Sequence, residues 1–238
     1  MINSIQHLPK TIDTSYGRFH FYENHWKTVG MDLLARQAGT MDGLSLLDYG
    51  CGRGETLKIA KSHGIKALGT DLDVECVALS KEYGDAIHLE EPHDPVLQFG
   101  ENSFDIVTCF HVLEHVERPK EILTALGRIA RRYVLVAVPN LRTLPKPRFF
   151  LREPKSVNEG HLQGWDHVHF RNLAERHCHM KLLAWGHDYV RMPVLSNLAA
   201  KTVGNRLTIH LETGLFLSCF KYHSASIIAL LVPGNEPR

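Results

Sequence analysis

Between residues 44 and 138 the apolar and polar positions fall into blocks whose period changes in a regular order. Residues 44–49 are an apolar run stopped by glycines. Residues 54–63 follow as a helix with Leu57 and Ala60 on one face and Gly64 placed to end it. Residues 65–70 make a second short strand, and 73–83 a second helix with Val74, Val77 and Ala78 at helical spacing. A weaker third strand at 86–89 precedes a fourth at 104–110 (FDIVTCF). Pro119 suits the first turn of a helix striped by Ile122, Leu123, Leu126 and Ile129. The fifth strand, 133–138 (YVLVAV), is almost wholly apolar, as a strand covered on both faces requires. Strand and helix alternating in this way predict an α/β doubly wound fold around a mostly parallel sheet.

The flanking pattern is less regular. Residues 23–38 read as a helix with Trp26, Val29 and Leu33 inward, closed by Gly39. A proline-rich irregular stretch covers 141–164. A helix near 171–178, a strand near 182–189, helical material over 195–222 and a last strand at 226–232 complete the chain and bring the strands to seven. One domain is expected, with residues 1–43 as an N-terminal helical cap on a ligand-binding core at 44–238. A lid is expected at about 141–165.

Composition narrows the class. The chain has 238 residues, with 27 Lys and Arg against 26 Asp and Glu, a formal charge of +1. That balance gives no electrostatic reason to expect nucleic acid as a partner. A hydrophobic share of 44% with 22% charged residues is that of a folded globule. No apolar run approaches the ~20 residues of a membrane-spanning helix, and the first residues lack a signal-peptide pattern. The five scattered cysteines show no CxxC spacing, which points to reduced thiols and a cytoplasmic protein.

The chemistry is concentrated at Asp48-Tyr49-Gly50-Cys51-Gly52-Arg53-Gly54-Glu55. A strand entering a Gly-x-Gly-x-Gly turn and leaving as a helix lets the backbone pass close to a ligand, where a Cβ would collide. A dinucleotide needs a small residue where Glu55 stands, and a carboxylate there competes with pyrophosphate for the same amides. NAD is therefore disfavoured. Asp71 ends the second strand, where an acid can accept both hydroxyls of a ribose; Asp73 reads as a helix N-cap.

The Asp-x-Gly-x-Gly-x-Gly form, Asp71, and the pair of segments 102–107 (NSFDIV) and 112–116 (VLEHV) together resemble the class I S-adenosylmethionine-dependent methyltransferases over about residues 44–140. That resemblance implies a Rossmann-like methyltransferase fold and S-adenosyl-L-methionine as cofactor. It implies a site in which Gly50, Gly52 and Gly54 meet the methionyl carboxylate and Asp48 approaches the ammonium. Asp71 would hold the ribose, with Phe110 and His111 flanking the cofactor. The adenine-reading acid should follow the third strand, where Glu90, Glu91 and Asp94 are all candidates and Glu91 ranks first. The absence of an N/D-P-P-F/Y tetrapeptide favours a small-molecule hydroxyl acceptor over a base. A regulatory or partner-binding protein that binds the cofactor without turnover, or a methyltransferase with a macromolecular acceptor, is the alternative.

His111-Val112-Leu113-Glu114-His115 also spells H-x-x-E-H, a zinc-protease pattern that needs both histidines on one helical face. The segment instead directly follows a core strand, so that reading is set aside. The ubiquinone-biosynthesis O-methyltransferases carry a similar Glu-His pair associated with a divalent ion, so the resemblance makes a divalent cation at Glu114 and His115 a candidate. The plainer role, shaping the turn into the next helix, is preferred, and no metal ligand is assigned. Farther on, Trp165-Asp166-His167-Val168-His169-Phe170 resembles a segment of the methyltransferase-like proteins associated with methionine biosynthesis. By that likeness His167 or His169 lies over the acceptor pocket. His111, His167 and His169 are thus the candidate general bases. Finally, the stretch from Leu141 to Lys155 carries five basic residues and one acidic one among Phe149, Phe150 and Leu151, which suggests peripheral membrane contact.

Overall fold

A computed structural model describes residues 15–90, 94–144 and 158–234. Seven strands form one sheet in the order β3-β2-β1-β4-β5-β7-β6. They are β1 (Ser45–Tyr49), β2 (Lys66–Asp71), β3 (Asp85–His88), β4 (Phe104–Phe110), β5 (Ala130–Pro139), β6 (Lys181–Gly186) and β7 (Ser226–Val232). β1 to β5 are mutually parallel, while β7 runs antiparallel between β5 and β6. The expected α/β doubly wound architecture and all seven strands are present.

The helices are α1 (Ser15–Ala38), α2 (Glu55–Ser62), α3 (Val74–Ser80), α4 (Pro95–Phe99) and α5 (Pro119–Ile129), then α6 (His167–Arg171), α7 (Pro193–Thr202), α8 (Gly204–His210) and α9 (Phe216–Phe220). The central strands divide their side chains between two apolar layers because successive residues point to opposite faces. Val134, Val136 and Val138 of β5 join Leu123, Leu126 and Ile129 of α5 and Phe170 of α6. Leu135 and Ala137 face the other way, into a layer with Met31 and Leu34 of α1 and Ala60 of α2. This two-sided cover explains the continuous apolar run.

Three differences from the sequence pattern have local causes. β5 begins at Ala130 because Arg131 and Arg132 sit on its exposed start; Arg131 donates to Asp105 Oδ1 at 3.0 Å and to the Asn102 carbonyl. α4 was not expected; Asp94 caps it by accepting from the Val96 and Leu97 amides, and Pro95 supplies its first turn. The helix expected near 171–178 starts earlier, at His167, because the Asp166 carboxylate accepts from the Val168 and His169 amides; it then widens into a π-helical turn over Asn172–His177. Most of the expected lid, residues 145–157, lies outside the described residues, and so does most of the basic stretch ending at Lys155. Among the described residues no helix is long and apolar enough to cross a membrane.

The strand order reverses between β1 and β4, whose connections leave to opposite sides. In an open sheet of this kind a crevice opens at that point, beyond the carboxyl ends of the strands. The glycine loop leaves β1 there, and His111 leaves β4 beside it.

Candidate active site

A cleft of about 1060 Å³ opens at this switch point, and its wall includes Gly50, Gly52, Asp71, Phe110 and His111. These five expected residues are brought together. The loop is held from behind: the Gly50 and Cys51 amides both donate to the Thr70 carbonyl at 2.8 Å. The Gly52 amide donates to Asp71 Oδ2 at 2.8 Å, and the Asp73 amide to Oδ1 at 3.0 Å. Asp71 therefore fixes the loop while lining the cleft, and each oxygen keeps a second acceptor position. Asp73 caps α3 by accepting from the Glu75 and Cys76 amides.

The three glycines of the turn serve different ends. All have positive φ. A Cβ at Gly50 would strike Val112, and one at Gly54 would come within 2.8 Å of the Ser80 backbone. At Gly52 a Cβ would meet no atom within 4 Å. Gly52 thus keeps open a cradle at the cleft wall that a side chain would fill, whereas Gly54 lets α2 approach α3 and does not line the cleft. Cys51 is buried against Gly69, and burial pushes its thiol up to about 12, so it is a packing residue rather than a nucleophile.

Asp48 lies beneath the loop, 1% exposed. Its Oδ1 accepts from the Thr108 hydroxyl at 2.6 Å, while Oδ2 is buried without a hydrogen-bond partner. Burial pushes its carboxyl up to about 6, against the pull of Thr108 and of the Lys27 ammonium. Lys27, from α1, pairs with Glu55 at 2.7 Å. Burial acts to raise Glu55, but Lys27 outweighs it and leaves that carboxyl below its ordinary value. The acid at the head of α2 is neutralised by a cation that the motif did not reveal. Trp26, one residue before, lines the cleft beside His111, with ring centroids 4.4 Å apart.

His111 has φ 55, a left-handed conformation uncommon outside glycine. The turn swings its ring to the cleft wall. Nδ1 lies 3.0 Å from Glu114 Oε1, so its proton is directed to the carboxylate and Nε2 carries the basic lone pair, 3.3 Å from Ser226 Oγ. Glu114 is fully buried, and its Oε2 has no hydrogen-bond partner. The H-x-x-E-H segment does not lie on one helix: it passes from the left-handed His111 into a 3-10 turn at Leu113–His115.

His115 stands on the other side of Glu114, with Nε2 4.0 Å from Oε1. Its Nδ1 is 2.9 Å from the Gly160 carbonyl, which fixes the tautomer and frees Nε2. Glu114, His115 and His161 each place one ligand atom within 4.8 Å of the others. The donor set suits a divalent cation that accepts imidazole and carboxylate. His161 was not matched to this pair in the sequence because 46 residues separate it from His115.

The remaining expected residues stand elsewhere. His169 is exposed on α6 with Nδ1 2.9 Å from Asp166 Oδ1. His167 is 8% exposed and packs against Trp185, His187 and Tyr222. Burial lowers its pKa to about 4, and neither ring nitrogen has a hydrogen-bond partner. Neither histidine is among the cleft-lining residues. Glu91 lies outside the described residues. Of the other two acids, Glu90 is exposed and Asp94 is committed to capping α4. Leu72 and Leu89 line this end of the cleft.

Known proteins resemble this chain in sequence and in fold. A family profile described as a methyltransferase domain matches residues 18–183. The ubiquinone biosynthesis O-methyltransferase of Pseudoalteromonas translucida (strain TAC 125) is 29% identical over 165 residues, 65% of this chain and 66% of that protein. The enzyme of the same description from Sodalis glossinidius (strain morsitans) is 27% identical over 128 residues, 52% of this chain and 51% of its own. The matched part thus spans between half and two thirds of these relatives' lengths. Among solved structures, magnesium protoporphyrin IX methyltransferase from Synechocystis PCC 6803 with bound SAH superposes with a TM-score of 0.58 at 15% identity, covering 94% of this chain and 96% of that one. A SAM dependent methyltransferase from Archaeoglobus fulgidus gives 0.54 at 18% identity over 92% and 99%.

Proposed function

Since the chain belongs to the methyltransferase domain family, in its class I S-adenosylmethionine-dependent form, we propose that it methylates a hydroxyl oxygen of a small molecule in the cleft between β1 and β4. The observation that carries this reading is the Glu114–His111 pair at 3.0 Å, an oriented base on the wall that the glycine loop shares. When bound, S-adenosylmethionine supplies a methyl group already activated on a sulfonium. The protein's task is then to align the acceptor, exclude water and take its proton.

The space that Gly52 keeps open receives the methionyl carboxylate, Asp48 supports the ammonium from beneath, and Asp71 takes the ribose hydroxyls. Glu91, beyond β3, is the acid assigned to the adenine. Trp26 and Phe110, whose rings meet edge to face at 5.4 Å, close the cleft from the α1 side. At His111, Nε2 takes the acceptor's proton while Glu114 holds the imidazole by Nδ1 and stabilises the imidazolium that forms. In this arrangement Trp26 is the contribution of the N-terminal cap to the cleft wall and Leu162 that of the expected lid.

Calorimetry with S-adenosylhomocysteine beside NAD⁺, then methyl transfer from labelled cofactor to a panel of phenols and catechols, tests this. The expected result is S-adenosylhomocysteine binding without NAD⁺ binding. Transfer should fall by about 10²–10⁴-fold in His111→Ala, the usual contribution of a general base. Saturable binding with no acceptor methylated would leave a cofactor-binding protein without turnover. Binding of NAD⁺ alone would overturn the reading.

The cluster of Glu114, His115 and His161 favours one addition, a divalent cation beside the acceptor. Mn²⁺ titration followed by electron paramagnetic resonance should then show one bound ion, lost in His161→Ala. No bound ion in the unaltered protein would leave these residues with the structural role alone.

A further inference from the structure

The helices between β6 and β7 carry an apolar surface that the cleft does not use. Val194, Leu195, Leu198, Val203, Leu207 and Leu215 are each 45–59% exposed. Val194 and Leu198 are four residues apart on α7, so they share one flank. Val203 and Leu207 repeat that spacing into α8. Single exposed leucines are ordinary, but six such side chains within 22 residues form a patch. The same helices bury other residues. Ser196, Thr208, Ile209 and Glu212 are all within 2% of full burial. Glu212 accepts from the hydroxyl of Tyr22 on α1. The unit is thus anchored on its inner side and apolar on its outer side.

Charge identifies the occupant. Residues 191–223 contain Arg191, Lys201, Arg206 and Lys221 and a single carboxylate, the buried Glu212. The exposed charges of the segment, Arg191, Lys201 and Lys221, are therefore all positive. Two copies of this face would bring like charges together around their leucines. An anionic bilayer satisfies both features at once, with the leucines entering the headgroup–acyl boundary and the basic side chains meeting lipid phosphates. The unit also leaves Gly186 and returns at Ser226, at the rim where the cleft opens, and Ser226 itself touches His111.

We propose that α7–α9 is a docking surface for an anionic phospholipid membrane. It holds the rim of the sheet against the lipid, so that an amphiphilic molecule can reach the cleft from the bilayer. The surface goes beyond the methyl-transfer reading and stands whether or not transfer is found.

Co-sedimentation of the full chain with vesicles of phosphatidylcholine alone, and of phosphatidylcholine mixed with phosphatidylglycerol, tests the proposal. Binding to the mixed vesicles should be tighter by about tenfold or more and should weaken with salt. Leu198→Glu combined with Leu207→Glu should lower it by about tenfold or more. Lys201→Glu and Lys221→Glu should each lower it about fivefold or more, since each basic residue near an anionic surface contributes about that factor. S-adenosylhomocysteine affinity, unchanged in these variants, reports that the fold is intact. Three results would overturn the proposal. One is no sedimentation of the unaltered chain with mixed vesicles. A second is binding that survives both sets of substitutions, which would place the contact on another surface. The third is a dimer in analytical ultracentrifugation that Leu198→Glu dissociates, which would make a second copy the occupant.

Discussion

Asp48 offers the sharpest test, because its two expected effects have opposite signs. Its carboxyl is 1% exposed, has one hydroxyl donor on Oδ1 and none on Oδ2. Burial raises its pKa from 3.8 to about 6. A carboxyl whose folded pKa exceeds its unfolded value holds its proton more tightly when folded. Below pH 3.8 both states are protonated and nothing is gained or lost. Between that pH and 6 the folded state pays progressively, and above 6 the whole cost is present. Two pKa units correspond to about 3 kcal/mol. Asp48→Asn keeps an acceptor for the Thr108 hydroxyl and removes the charge. The ligand-free variant should therefore be more stable than the parent at pH 7.5 by up to about 3 kcal/mol, about 6–12 °C in Tm for a chain of this size. The advantage should vanish near pH 4. Cofactor binding should move the other way. If the carboxylate supports the methionyl ammonium, the variant's affinity for S-adenosylhomocysteine at pH 7.5 falls by about tenfold or more, since hydrogen bonds to charged groups contribute about 1.5–3 kcal/mol. Thermal denaturation at the two pH values and calorimetry at the higher one suffice. A variant less stable at pH 7.5, or equally shifted at both, would refute the burial argument; unchanged affinity would remove Asp48 from the cofactor site.

Other substitutions separate the roles of neighbouring residues. Asp71→Ala should weaken S-adenosylhomocysteine binding by about 1–3 kcal/mol, and an unchanged dissociation constant in the folded variant would exclude a ribose contact. Gly52→Ala should abolish binding at a cost in stability of about 1–2 kcal/mol, because its Cβ meets open cleft and only the positive φ is strained; Gly50→Ala, which strikes Val112, should lose clearly more Tm in the same calorimeter. Lys27→Met should weaken cofactor binding by uncovering Glu55 beside the loop, and Glu55→Gln in the same chain should restore it; an additive pair of losses would show that the two side chains act separately. Glu114→Gln should lower turnover and shift its pH profile while leaving S-adenosylhomocysteine affinity in place, whereas loss of both would assign Glu114 to the architecture of the turn.

Much of this molecule is legible along the chain because its central strands are buried on both faces. β4, β7 and the apolar part of β5 stand out as runs that no exposed segment would carry. Legibility fails where polarity at an element's end has a local use. Arg131 and Arg132 disguise the start of β5 because one arginine is spent on Asp105 and the neighbouring loop. α4 is only five residues long, too short for a periodic stripe, although its Asp94-Pro95 start is a usable signal. α1 extends to Ser15, beyond the stripe of Trp26, Val29 and Leu33 that marked its later turns.

The histidines show why a site is harder to read than a fold. Spacing alone makes the 111–115 and 165–170 segments look equally chemical, yet only the first comes to the switch point. His111 gets there because β4 ends at Phe110 and the chain turns through a left-handed residue, a conformation that spacing does not encode. His169 instead spends Nδ1 on Asp166, whose main task is to cap α6. His167 is enclosed by Trp185, His187 and Tyr222, so burial holds it neutral away from the cleft wall. The cleft residues that no motif marks, Trp26 and Lys27, come from α1, before the first strand. They reach the glycine loop only through the packing of that helix across β5 and β7. Local motifs therefore locate the half of the cleft that is backbone geometry around β1 and β2. The other half is assembled from α1, the turn after β4 and the start of β7, elements from 26 to 226 in the numbering, and only the folded chain brings them together.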